Sequence, residues 1–198
     1  MPEISNEWLI PATTWEAVVD RYVCYRQLRA WRSRTRRKTG ELVPQLKTAK
    51  EADNLRTCLM RTINILGSRS PTCFPQPLPA DIETIFSTLN EGTTRALKCR
   101  QIDIHDLWRA VLFNRDTYTC QYCHRSAWEM LAESRGERTL RFEIDHRLPR
   151  IDNSREFDAS NLLTACLSCN RIKGQLTEEQ FRQELRSLAV AVCRTVGV

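Results

Sequence analysis

The stretch FEIDHRLP at residues 142–149 places Glu143, Asp145 and His146 within four positions of a probable strand. An imidazole has an ordinary pKa of about 6.5 and can take a proton from water at neutral pH. Carboxylate oxygens are the ligands that Mg²⁺ and Mn²⁺ prefer. The Asp–His pair is therefore suited to metal-assisted hydrolysis, although a surface Asp–His pair in isolation is more often a plain hydrogen-bonded contact. Glu143, on the same strand face as Asp145, either supports a metal or is a solvated acid.

The chain has nine cysteines, and four of them form two CxxC pairs, Cys120/Cys123 and Cys166/Cys169, with 42 residues between the pairs. Four thiolates suit tetrahedral Zn²⁺, and a CxxC turn places two sulfurs on one side of a metal. The spacing predicts a closed, structural zinc site whose intervening segment returns to its starting point. Free thiols in turns, or a redox dithiol, are the alternatives.

The motifs in combination resemble the HNH endonuclease family, also called the ββα-metal nucleases, over about residues 104–175. The matching stretches are RDTYTCQYC (115–123), FEIDHRLP (142–149), NLLTACLSCN (161–170) and RIKG (171–174). The resemblance implies a ββα-metal module with a structural zinc. It also implies hydrolysis of DNA that leaves a 5′-phosphate and a 3′-hydroxyl.

The same resemblance implies a role for each matching residue. His146 is similar to the family's general base, and Asn161 to the residue that shapes the loop supporting that histidine. Asp145 and Asn170 are similar to the ligands of one catalytic Mg²⁺ or Mn²⁺. The last family position is often His, and Asn170 is a common variant that is compatible with metal binding.

A formal net charge of +6 favours a polyanionic partner such as DNA, and RNA stays open as a substrate. Residues 26–38 hold seven Lys or Arg and no acid. Arg29, Arg32 and Arg36 share one helical face that suits phosphates, or they form a solvated helix end. Four basic residues near the Asp–His pair are predicted to contact phosphates, or else they form a solvated basic rim: Arg147, Arg150, Arg171 and Lys173.

Apolar periodicity predicts helices over 13–37, 45–66 and 80–98, a fourth from Asp103 and a last one near 177–195. Alternation predicts a strand over 139–147. We therefore expect an α+β fold, with a helical region of unknown role at 1–101 and an HNH module with a C-terminal helix at 102–198. No apolar run approaches a membrane span of about 20 residues. The first residues lack a secretory signal pattern, so we expect a cytoplasmic protein without a membrane partner.

Two other functions stay open. In one, the chain is a zinc-containing nucleic-acid-binding or scaffold subunit whose HNH module is inactive or partner-activated. In the other, its N-terminal helices recruit a protein or ribonucleoprotein to a nuclease arm. Cutting both strands would need a homodimer or two successive binding and cleavage events, because a single active centre cuts one strand at a time. On family grounds alone, antiviral defence or a mobile element is the favoured setting.

Overall fold

The computed structural model describes residues 8, 10–35, 46–69, 101–127, 129–130, 141–149 and 158–196. Two long helices come first, α1 (Trp15–Thr35) and α2 (Leu46–Arg69), and α3 (Gln101–Arg115) packs against both. The helix predicted over 80–98 lies outside the described residues. The elements that follow are β1 (Phe142–His146), β2 (Leu162–Cys166), α4 (Leu167–Lys173) and α5 (Glu178–Val196). The α+β class predicted from the sequence is confirmed.

The two strands form an antiparallel pair in which Phe142 lies opposite Cys166 and His146 lies opposite Leu162. β1 is shorter than the predicted strand over 139–147. β2 was not predicted as a strand, because all five of its residues are buried and the polar–apolar alternation of a half-exposed strand is missing. The first CxxC turn is hydrogen-bonded to this sheet, since the Gln121 N–H donates to the Thr164 carbonyl at 2.9 Å.

An aromatic cluster joins the N-terminal helix to the sheet, with Tyr25 of α1 at its centre. The Tyr25 ring centroid lies 5.7 Å from that of Phe113, 5.6 Å from that of Tyr118 and 6.0 Å from that of Phe142. The Tyr25 hydroxyl accepts a hydrogen bond of 2.9 Å from the backbone N–H of Phe142. Because Phe142 begins β1, helix α1 is attached directly to the strand that carries the Asp–His pair.

A buried carboxylate fastens α1 to α3. Asp106 of α3 accepts hydrogen bonds from the Tyr22 hydroxyl at 2.6 Å and from the Arg26 guanidinium at 2.7 Å. Burial, and then the charge of Asp106, raise the pKa of Tyr22 far above its ordinary value, so the phenol remains a donor. The division of the chain after residue 101 stays a prediction. In the structure, α1 shares one hydrophobic core with α3 and the sheet.

The last helix begins as the sequence predicts, with Thr177 as its cap. The Gln180 N–H donates to the Thr177 hydroxyl at 3.2 Å, and the Gln180 side chain accepts from the Thr177 N–H at 2.9 Å. Among the described helices, none is both long and apolar enough to cross a membrane.

We expect Tyr25→Phe to lower the free energy of unfolding by about 1–3 kcal/mol, because the buried N–H of Phe142 loses its acceptor. Urea unfolding measures the loss. The matched control is Tyr118→Phe, since the buried Tyr118 hydroxyl has no hydrogen-bond partner within the described part of the chain. Its removal should be neutral or slightly stabilising. Equal losses in the two variants would contradict the role of the Tyr25 hydroxyl.

Candidate metal centres and active site

The four clustered cysteines come from two segments that the fold brings together. Cys120 and Cys123 lie in the turn after α3, whereas Cys166 ends β2 and Cys169 lies in α4. All four sulfurs lie within 4.8 Å of one another. The Cys169 N–H donates to the Cys166 sulfur at 3.4 Å, which caps the start of α4. Within the described residues, this is the one group of three or more Cys, His, Asp or Glu whose ligand atoms converge.

This cluster can bind a metal ion, and its donor set is that of a structural zinc site. Thiolates bind Zn²⁺ at about 2.3 Å, and four of them complete its tetrahedron. Such a site has no open position for a substrate. A metal ion bound there would hold the first CxxC turn against β2 and α4.

Asp145 and His146 are consecutive residues at the end of β1, and their side chains leave the strand on opposite faces. The Asp145 side chain is 9% exposed. Its Oδ2 accepts a hydrogen bond of 2.6 Å from the Tyr122 hydroxyl. The Lys173 ammonium lies 3.3 Å from Oδ2 and 3.5 Å from Oδ1. The buried negative charge is therefore compensated by one ammonium and hydrogen-bonded by one phenol.

Tyr122 lies between the two cysteines of the first pair and is itself buried. Its ring packs edge-on against Phe181 of α5 at a centroid distance of 5.0 Å, and the Arg182 guanidinium lies 5.6 Å from its centroid. Burial, and then the hydrogen bond to Asp145, raise the pKa of Tyr122 far above its ordinary value. The phenol therefore keeps its proton and acts as the donor in this contact.

Asn170 of α4 is held against the other acid of β1. Its Nδ2 donates to Glu143 Oε2 at 2.8 Å, and Glu143 Oε1 lies 2.9 Å from the Arg141 guanidinium. Glu143 therefore supports Asn170 and leaves the amide Oδ1 as the acceptor of that side chain. The sequence left the role of Glu143 open between metal support and a solvated acid, and the structure gives it this contact.

Asn161 lies behind the segment that follows His146. It ends a 3-10 turn, Ala159–Asn161, which Asp158 caps through the Ser160 N–H. Asn161 Oδ1 accepts from the Leu148 N–H at 2.8 Å, and its backbone carbonyl accepts from the Arg147 N–H at 2.8 Å. The side chain and the backbone of Asn161 thus both hold the two residues after His146.

The donor set of Asp145 and Asn170 fits a hard divalent cation. A carboxylate offers about four acceptor positions, and Tyr122 and Lys173 occupy the Asp145 carboxylate mainly through Oδ2. Within the described part of the chain, Asp145 Oδ1 makes only the long Lys173 contact of 3.5 Å, and the Asn170 amide supplies a neutral oxygen. Mg²⁺ is commonly held by one or two such oxygens with waters and substrate phosphates completing its shell.

The predicted phosphate contacts lie in different environments. Arg171 is exposed, and the Arg147 side chain, which is 41% exposed, pairs with Glu178 Oε2 at 2.5 Å. The Lys173 side chain is only 1% exposed and faces Asp145, away from the open surface that a phosphate contact requires. Arg150 and Arg36, and the side chains of Arg29 and Arg32, lie outside what the structure describes.

Sequence reasoning missed Tyr122 and the inward position of Lys173. The sequence signal for Tyr122 was its position between the two cysteines of CQYC, a pair predicted to bind metal. Lys173 gave no such signal, because a lysine beside an exposed Arg171 and Ile172 has the pattern of a basic surface.

A family model described as HNH endonuclease matches residues 120–176. The matched segment contains the four clustered cysteines, the Asp145–His146 pair, Asn161 and Asn170. The resemblance drawn from the sequence motifs is therefore confirmed for this segment, which is an HNH endonuclease domain. No curated protein and no solved structure gave a significant match to the chain.

We expect Cys166→Ser to lose bound zinc and about 4 kcal/mol or more of stability, because a structural metal supplies folding free energy directly. Zinc per chain by elemental analysis and thermal unfolding measure the two effects. The matched control is Cys193→Ser, since Cys193 is exposed on α5 and lies outside the cluster. Normal zinc content and melting of Cys166→Ser would contradict the zinc assignment.

Acid should weaken the contact that Glu178 of α5 makes with Arg147, the residue after β1. Burial alone would raise the pKa of Glu178, but the hydrogen bonds and charges of Arg182 and Arg147 lower it below its ordinary 4.5. A lowered folded-state pKa stabilises the fold above pH 4.5, and this stabilisation is lost as the pH falls through the lower value.

We therefore expect Glu178→Gln to show a shallower loss of unfolding free energy below pH 4.5 than the wild type. Urea unfolding across the acid range measures it. Glu179→Gln is the control, because it leaves the Glu178 contacts with both arginines in place and should follow the wild-type profile. An unchanged slope in Glu178→Gln would show that these contacts contribute no acid-sensitive stability.

Proposed function

We propose that this chain, whose residues 120–176 form an HNH endonuclease domain, is a metal-dependent endonuclease that hydrolyses DNA phosphodiester bonds. The observation that carries the proposal is the arrangement around the end of β1. Asp145 and His146 are adjacent there, Asn161 holds the two residues after His146, and Asn170 lies on a helix that packs against β1. All four residues lie within the matched domain.

In this proposal His146 is the general base that takes a proton from the attacking water. A base of this kind contributes about 10²–10⁴-fold to the rate. Asn161 keeps the backbone of the two residues after His146 in place at the strand end. Asp145 and His146 are consecutive residues at the end of β1, so the base and the cation ligand would lie close to the same phosphate.

Asp145 and Asn170 would hold one Mg²⁺ or Mn²⁺. When bound, that cation supplies Lewis acidity to the phosphoryl group and stabilises the departing 3′ oxygen. The chain's own residues determine where these oxygens lie: Glu143 holds the Asn170 amide, and Tyr122 and Lys173 hold the Asp145 carboxylate.

The charge of the chain suits a nucleic-acid substrate. The net charge is +6, and Arg171 is exposed on the helix that carries Asn170. Arg171 and Arg147 would contact phosphates, and the basic face predicted on α1, with Arg150, would extend this surface. Such contacts place the duplex without reading its sequence.

The second candidate is a zinc-containing nucleic-acid-binding or scaffold subunit whose HNH module is inactive or activated by a partner. The observation that favours it is the burial of Asp145 and its ion pair with Lys173, which together give Asp145 an internal counter-ion. On family grounds we place either function in defence or a mobile element, with the N-terminal helices as the surface for a protein or ribonucleoprotein partner.

We expect the purified chain to convert supercoiled plasmid to nicked or linear DNA with Mg²⁺ or Mn²⁺ and not with EDTA. His146→Ala should lower the rate by about 10²–10⁴-fold, because the base is removed. Gel quantification of the three plasmid forms measures the rate.

His105→Ala is the matched control for this experiment, because His105 is an exposed histidine of α3. It should cleave like the wild type. Full activity of His146→Ala would overturn the base assignment. A folded, zinc-loaded wild type that binds DNA but leaves it intact with both metals would favour the second candidate.

A further inference from the structure

Within the described residues, the two side chains that contact the Asp145 carboxylate come from the two cysteine segments of the zinc cluster. Tyr122 lies between Cys120 and Cys123, and Lys173 lies on α4, the helix of Cys169. Each segment therefore supplies one sulfur pair to the cluster and one side chain to Asp145. The cluster and the proposed cation site are joined through these two side chains.

The backbone turn that carries Tyr122 and the Tyr122 ring are both held in place. The His124 N–H donates to the Cys120 carbonyl at 2.8 Å, and the Cys120 N–H donates to the Arg125 carbonyl at 3.0 Å, which closes the turn around Tyr122. The Gln121 N–H ties the same turn to β2, the strand paired with β1. The ring itself is held against Phe181 of α5.

The contacts of Tyr122 and Lys173 differ in kind. Lys173 compensates the charge of a carboxylate that is only 9% exposed, and thereby offsets the cost of burying it. Tyr122 is neutral, so its short hydrogen bond orients the carboxylate without cancelling its charge. Since Oδ2 carries the Tyr122 bond, the carboxylate is held with Oδ1 as the less occupied oxygen.

We propose that Tyr122 is a positioning residue for the catalytic cation, and that through it the zinc cluster sets the orientation of the metal ligand Asp145. This inference rests on the proposed function, because it assumes that Asp145 binds the cation. Tyr122 would not bind the cation itself; its hydroxyl would orient Asp145, which does.

The test is Tyr122→Phe, which keeps the ring against Phe181 and removes only the hydroxyl. Binding of Mn²⁺ to the zinc-loaded chain, without DNA, is measured from the free-ion signal in electron paramagnetic resonance. Loss of a group that orients a metal ligand typically costs about 10–100-fold in metal affinity, and we expect a loss in that range. Zinc per chain should equal that of the wild type.

Tyr118→Phe is the matched control, because Tyr118 is also a buried tyrosine and its ring packs in the aromatic cluster around Tyr25. It should leave Mn²⁺ affinity unchanged. An Mn²⁺ affinity in zinc-loaded Tyr122→Phe equal to that of the wild type would overturn the proposal. Loss of zinc from Tyr122→Phe would also overturn it, since Tyr122 would then serve the zinc fold itself.

Cleavage gives a second readout that a purely structural role would not change. The Mn²⁺ concentration for half-maximal rate should rise about 10–100-fold in Tyr122→Phe, and saturating Mn²⁺ should restore the maximal rate. A lower maximal rate with unchanged half-saturation would mean fewer folded chains and would overturn the positioning role. If the wild type neither binds Mn²⁺ nor cuts DNA, the proposed function is wrong. If the wild type does both, the result for Tyr122→Phe decides the role of Tyr122 alone.

Discussion

The convergence of four cysteine sulfurs within 4.8 Å is the constraint on which the rest of this structure depends. The two CxxC segments are 42 residues apart, so closing this cluster brings the turn after α3 against β2 and α4. The sheet alone is too small to do this, because two paired strands are marginally stable without further packing. A metal on the four thiolates would supply folding free energy where the hydrophobic area is limited.

The buried charge of Asp145 is a second consequence of that closure. A carboxylate with so little exposure is costly to bury unless it is paired and hydrogen-bonded, and Lys173 and Tyr122 meet both requirements. Removing the Lys173 ammonium would leave the charge without compensation inside the domain, whereas removing the Tyr122 hydroxyl would remove a hydrogen bond from Oδ2. The same two contacts hold the carboxylate in one orientation, so that the stabilising interaction and the proposed function depend on the same atoms.

The N-terminal helix belongs to the packing of the HNH domain and is more than an appendage. Tyr25 contacts Phe142 through both its ring and its hydroxyl, and the Ala12 backbone forms a reciprocal pair of hydrogen bonds with the Asn114 side chain. A partner that moved α1 would therefore act on the first residue of the strand carrying the site. The family match begins at residue 120, although the aromatic core that supports the domain includes residues far upstream.

The sequence by itself determined the features that depend on short spacings. These are the two CxxC pairs, the alternation that makes β1 a strand and the capping pattern at Thr177, because each involves neighbours along the chain. Tertiary structure alone decided the partners of Asp145, which are 23 and 28 residues away, and the Tyr25 contact across 117 residues. Residue types do not specify such pairings, because a lysine or tyrosine suits a surface and an interior equally until packing removes the water around it.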